Sequence, residues 1–143
     1  MYYALNVAGY VIKRCNAQNK SVSNLKLQKI LYFIQAEFLV TKNKPCFYED
    51  IEAWDFGPVV PEVYHKYKIF GSANIPAPAN LMIYDLITDN DKQLMNGIID
   101  NCAQYSASTL VEITHNQTPW INAYNKPGYN NVITQDSIKA YFS

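Results

Sequence analysis

Ser23-Asn24-Leu25-Lys26-Leu27-Gln28-Lys29-Ile30-Leu31-Tyr32-Phe33-Ile34-Gln35-Ala36-Glu37-Phe38-Leu39 is the stretch on which the fold turns. Leu27, Ile30, Leu31, Ile34 and Phe38 follow the i, i+3, i+4, i+7, i+11 pattern of one helical face. Leu25, Tyr32 and Leu39 cover a neighbouring face, so the helix is apolar around much of its girth. A helix of that kind belongs at the centre of a domain, packed by several others. Ser23 is placed to cap its first turn. The polar run from Lys42 to Lys44, leading into Pro45, predicts an end near Thr41.

Working outward, Ala4, Ala8, Val11, Ile12 and Cys15 form a stripe on a preceding helix. After Pro45 the pattern changes. Phe47, Ile51, Ala53 and Trp54 flank an acidic turn around Glu49 and Asp50, which reads as a small hairpin, and Gly57-Pro58 marks a turn. Pro61 fits the first position of a helix carrying Val60, Val63, Tyr67 and Phe70, with Gly71 as its stop. Ser72 to Asn80, with Pro76 and Pro78, is a loop. Leu81 to Ile87 is either a short strand or a buried connector. Asp89 or Asn90 is placed to cap a helix through Leu94, Ile98, Cys102 and Tyr105. Ser106 or Ser108 starts another, Thr118-Pro119 a third, and Thr134 caps a last short one. The expected architecture is mainly α: one compact multi-helix domain over residues 1–143, with six or seven helices and at most one small β-hairpin.

Length and charge fit this reading. The chain has 143 residues, enough to bury roughly two-thirds of its unfolded surface without metals or disulfides. Hydrophobic residues make up 49% and charged residues 17%, which excludes a disordered chain. Twelve basic and twelve acidic residues cancel, and only Arg14 among the basic ones is arginine. A nucleic-acid surface needs a basic excess and favours bidentate guanidinium groups, so no direct nucleic-acid binding is expected. The basic residues Lys13 and Arg14 follow the first apolar positions, the reverse of a signal peptide. No window is apolar enough to cross a membrane, and a cytoplasmic protein is expected. Twelve tyrosines supply amphipathic anchors of the kind found at interfaces, although an AT-rich coding sequence would also raise that count.

No catalytic pattern emerges. Cys15, Cys46 and Cys102 are odd in number and widely spaced, which suits neither a disulfide framework nor a zinc knuckle. His65 and His115 are the two histidines, too few for a multi-histidine metal site. Phosphate-loop, dinucleotide and zinc-hydrolase motifs are absent. No catalytic residue, cofactor or metal is expected, and the protein is not expected to be an enzyme.

Two clusters stand out instead. In Glu52-Ala53-Trp54-Asp55-Phe56-Gly57-Pro58-Val59-Val60-Pro61, Trp54 and Phe56 would share a face in an extended segment. Trp54 either pins the hairpin to the core or belongs to an exposed aromatic loop that docks a partner. In Thr114-His115-Asn116-Gln117-Thr118-Pro119-Trp120 one helix ends and another begins, and His115 is placed to satisfy the free carbonyls of its own helix end.

Three motifs in order, Asn-Leu-Lys-Leu-Gln-Lys-Ile-Leu-Tyr at 24–32, Glu-Ala-Trp-x-x-Gly-Pro-Val at 52–59 and Thr-His-x-x-x-Pro-Trp at 114–120, give the chain its resemblance. It resembles the Panacea antitoxin domain family from about Tyr3 to Tyr141. That resemblance implies a mostly helical domain, found in bacteria, prophages and plasmids, that neutralises a toxin encoded beside it, generally by direct contact. Carried over by position, the family's characteristic residues fall on Leu27, Gln28, Lys29, Tyr32, Trp54, Gly57, Pro58, Val59, Tyr64, His115, Pro119 and Trp120. Leu27 and Trp120 read as core; Gln28 and Lys29 lie off the main stripe and are expected to be exposed. The candidate partner-binding residues are therefore Gln28, Lys29, Trp54, Phe56, Pro58, Val59, Tyr64 and His115. Some family members carry an added DNA-binding region, for which this length leaves no room. The expected partner is a cognate toxin. A protease, served by a proteolytic adaptor, a phage accessory role on host machinery, and self-association are the alternatives.

Overall fold

The computed structural model describes residues 1–77 and 86–143. Seven helices and three short strands are found among them, in the order α1 (Ala4–Ala17), α2 (Asn24–Lys42), β1 (Ile51–Trp54), β2 (Gly57–Val59), α3 (Pro61–Tyr67), α4 (Asp89–Cys102), α5 (Ala107–His115), α6 (Thr118–Tyr124), β3 (Val132–Ile133) and α7 (Gln135–Phe142). A single 3-10 turn, Lys68–Phe70, extends α3 as far as Gly71. The expected strand or connector at 81–87 falls mainly outside the described residues; Ile87 is buried.

Helix α2 is the centre. It packs against α1, α3, α4, α5, α7 and β2. Leu27, Ile30, Leu31, Tyr32 and Ile34 are all fully buried, as its broad apolar girth requires. The Ser23 side chain accepts from the Lys26 amide at the start, and Asn43, in the left-handed region at φ 57°, ends the helix. Around it, one continuous cluster of buried side chains draws on all seven helices and on β1 and β3.

The caps show where local chemistry decides and where it does not. Ser106 and Thr134 cap α5 and α7 as their sequence context predicts. Helix α4 is capped by Thr88 rather than by Asp89 or Asn90, because the threonine hydroxyl sits one residue before the first helical turn and accepts from the Asp91 amide. Helix α6 starts at Thr118 with Gln117 before it, so Thr118 is inside the first turn and supplies no cap. Tyr3 likewise gives α1 no side-chain cap. Its Ala4 amide instead donates to the Glu49 carboxylate at 2.9 Å.

Strands β1 and β2 form a hairpin whose turn is Asp55-Phe56, with Trp54 opposite Gly57. This corrects the expected turn at Glu49 and Asp50, which lie before β1. Gly57-Pro58 opens β2, because it pairs with Trp54 and Ala53 instead of turning the chain. A third strand joins the hairpin: β3 pairs antiparallel with the other edge of β1, giving the order β2-β1-β3. Beside the sheet, the Gln35 side chain is fully buried and serves three backbone groups, accepting from the Cys46 and Phe47 amides and donating to the Phe47 carbonyl. The segment before the hairpin is thereby tied to the central helix.

Candidate functional site

The hairpin is held from beneath by the same helix face that carries Asn24, Gln28 and Lys29. Gln28 accepts from the Val60 amide at 2.9 Å and donates to the Asn24 side chain at 2.9 Å, while Asn24 donates to the Tyr64 carbonyl at 3.0 Å. Lys29 donates from Nζ to the Pro58 carbonyl at 2.9 Å. These bonds make α2 the mounting plate for β2 and α3.

The expected exposure of Gln28 and Lys29 is corrected here: they are 1% and 0% exposed. Lying off the main apolar stripe does not bring them to solvent, because α2 is surrounded and its off-stripe face meets the hairpin. Pro58 and Val59 are buried as well. Burial pulls the Lys29 ammonium down from an ordinary 10.5 to about 7. Above that pH the side chain is a neutral amine under the hairpin.

Gly57 is required at this junction. Its φ is +105°, and a Cβ there would stand 2.7 Å from Lys29 Cε and 2.8 Å from Thr114 Oγ1. The turn is thus seated directly on α2 and α5.

Two aromatic groups flank the hairpin. On one side Trp54 packs against Tyr64 at 5.0 Å in an edge-on arrangement, with His65 beside both rings. The Trp54 indole N–H donates to Glu52 at 2.9 Å. On the other side His115, Trp120 and Tyr124 form a stack, with ring centroids 4.1 Å and 4.5 Å apart. Trp120 Nε1 donates to the Trp54 carbonyl and His115 Nε2 donates to the Asp55 carbonyl, each at 2.9 Å. The Tyr124 hydroxyl donates to Asp55 Oδ1 at 2.6 Å. His115 therefore serves the hairpin turn, not the carbonyls of its own helix end. The two sequence clusters around Trp54 and His115 thus meet at the hairpin, one on each side of it.

A cleft of about 380 Å³ opens between the hairpin and α3, lined among others by Gln28, Trp54, Phe56, Val59 and Tyr64. Five of the eight candidates are thus brought to one place. Lys29 and Pro58 lie beneath it, and His115 reaches it only through Asp55. Phe56 is 66% exposed at the turn and Tyr129, on the opposite lip, 88%. Asp55, Tyr124 and Tyr129 belong to the face but were not singled out by sequence. The spacing of Trp120 and Tyr124, four apart on a helix, was a usable signal for one of them.

Cys15, Cys46 and Cys102 are free and buried. Burial raises all three thiols, that of Cys102 to about 12, which is the reverse of an activated nucleophile. Among the described residues no three His, Cys, Asp or Glu side chains come together as metal ligands. A second cleft, of about 360 Å³, has Glu49, Asp50 and Asp136 on its walls, but Glu49 already accepts from the Ala4 amide. No helix among the described residues is long and apolar enough to cross a membrane.

A small, mainly helical scaffold presenting an aromatic hairpin has the form of a binding module. Residues 27–121 match the family described as antitoxin SocA-like, Panacea domain. The chain is also 34% identical over 136 residues to Antitoxin SocA of Caulobacter vibrioides (strain NA1000 / CB15N), a match covering 87% of this chain and 71% of that protein. This chain belongs to the SocA-like, Panacea-domain antitoxin family. No solved structure matches it.

Proposed function

We propose that this protein is the antitoxin of a toxin–antitoxin pair and neutralises its cognate toxin by direct protein contact through the aromatic hairpin face. Family membership supports the antitoxin role. The observation that carries the mode of action is the gathering of Trp54, Phe56 and Tyr64 around one cleft, with the His115–Trp120–Tyr124 stack bracing the hairpin from its other side. Tyr and Trp give large contact area for little conformational entropy, and such residues dominate binding energy at interfaces. A specific complex of this kind buries on the order of 1,600 Å². In this reading residues 1–143 act as one cytoplasmic, non-catalytic binding domain, and the buried Gln28, Lys29 and Pro58 hold the face in shape without touching the toxin.

The test is co-expression with the products of the two flanking genes. Growth is scored with each neighbour alone and with this protein, followed by a pull-down. A neighbour that is toxic alone, harmless in company and co-purified supports neutralisation by contact; Trp54→Ala, Phe56→Ala and Tyr64→Ala should then each weaken rescue and capture together. Rescue with disappearance of the neighbour's protein and no stable complex transfers the reading to a proteolytic adaptor. With neither neighbour toxic or bound, the antitoxin reading fails.

A further inference from the structure

We infer that the cleft beside Trp54 takes an arginine side chain presented by the protein partner; this rests on the contact reading above and names its chemistry. Trp54 and Tyr64 meet edge-on at 5.0 Å and 63°, so their rings form two walls of a corner. Phe56 and Tyr129 supply further aromatic surface at the lips. Asp55 is the one charged group in the lining, which holds no lysine or arginine. Its Oδ1 takes the Tyr124 hydroxyl at 2.6 Å, and its Oδ2 has no hydrogen-bond partner among the described residues.

Those features decide between an apolar and a cationic anchor. Covering the cleft with an aliphatic or aromatic side chain would strip water from the Asp55 carboxylate and give nothing in return, a costly arrangement for any charge. A guanidinium meets both needs. Its charge is drawn to the faces of aromatic rings, and its N–H groups pair with a carboxylate. It is also planar and more weakly hydrated than an ammonium, so it gives up less on entering a cleft floored by Leu25 and Val59. Nearby cations of the chain do not compete for the place. Lys66 lies over the Tyr67 ring and Lys29 is turned to the Pro58 carbonyl below.

The probe is the tripeptide acetyl-Gly-Arg-Gly-amide, compared with the same peptide carrying citrulline, the neutral isostere of arginine. Binding is followed by the NMR signal of the Trp54 indole N–H. The arginine peptide should shift that signal and bind about fivefold more tightly than the citrulline peptide. Asp55→Asn, which keeps an acceptor for Tyr124, should bring the two peptides to parity. Equal shifts from both peptides, no shift from either, or a preference that survives Asp55→Asn would overturn the inference. Its failure is separable from that of the contact reading. If Trp54→Ala and Phe56→Ala abolish rescue in co-expression while the peptides bind alike, the face stands and its cationic anchor falls. If neither substitution affects rescue, the face itself is wrong.

Discussion

Lys29 concentrates the physics of the site in one side chain. Its folded-state pKa is about 7 against an ordinary 10.5, and burial is the cause. Between those values the unfolded chain holds a proton that the folded chain does not, so stability rises with pH by up to ~1.4 kcal/mol per unit from Lys29 alone. Below pH 7 the folded state must bury a cation and the cost is complete. Lys29→Met removes this slope. Urea unfolding at pH 7, 8 and 9 should show the wild type gaining on the variant at each step; a constant difference would contradict the burial argument. The wild-type curve by itself is a poorer test, because the three buried thiols pull stability down once the unfolded cysteines ionise. Gly57 gives the second residue-scale prediction. Gly57→Ala places a methyl against Lys29 and Thr114 at a positive φ, and should cost about 3 kcal/mol, read as a fall in the thermal midpoint.

At the scale of elements, the hairpin is only as firm as its attachment to α2. Gln28→Leu leaves the Val60 amide without its acceptor and Asn24 without its donor. A buried N–H so orphaned predicts a loss of about 2 kcal/mol and faster hydrogen exchange at Val60, with partner binding weakened indirectly. This is also where sequence reading reached its limit. Helices with a clear apolar stripe, and the helix start marked by Pro61, were legible because each rests on local chemistry. Gly57-Pro58 misled, since the chain turns at Asp55-Phe56 and these two residues pair in β2. Gln28 and Lys29 were not legible, because periodicity tells which side of a helix is most apolar but not how many neighbours cover the rest. Strand β3 was invisible for a related reason. Val132 and Ile133 show no alternation and become a strand only because β1 offers them a free edge. The aromatic clusters were legible as motifs, yet their meeting at Asp55 depends on contacts sixty residues apart in sequence.

For the whole molecule, the design separates what is buried for stability from what is displayed. Phe56 is exposed and outside the core cluster, so Phe56→Ala should change unfolding free energy by less than ~0.5 kcal/mol while weakening rescue in co-expression. Ile30, fully buried at the centre of α2, should behave oppositely: Ile30→Ala should cost about 2–5 kcal/mol, and any loss of rescue should track the fall in folded protein seen by immunoblot. A variant pair that failed to divide in this way would mean that the face and the core are not separate.

The three sealed cysteines have a use of their own. Since Cys15, Cys46 and Cys102 are buried and their thiols resist ionisation, no native thiolate is available at neutral pH to attack a maleimide dye. Tyr129→Cys would set a single reactive thiol at the lip of the aromatic cleft without any prior removal of native cysteines. A fluorophore attached there would report the arrival of a partner in real time, turning the molecule into its own binding sensor.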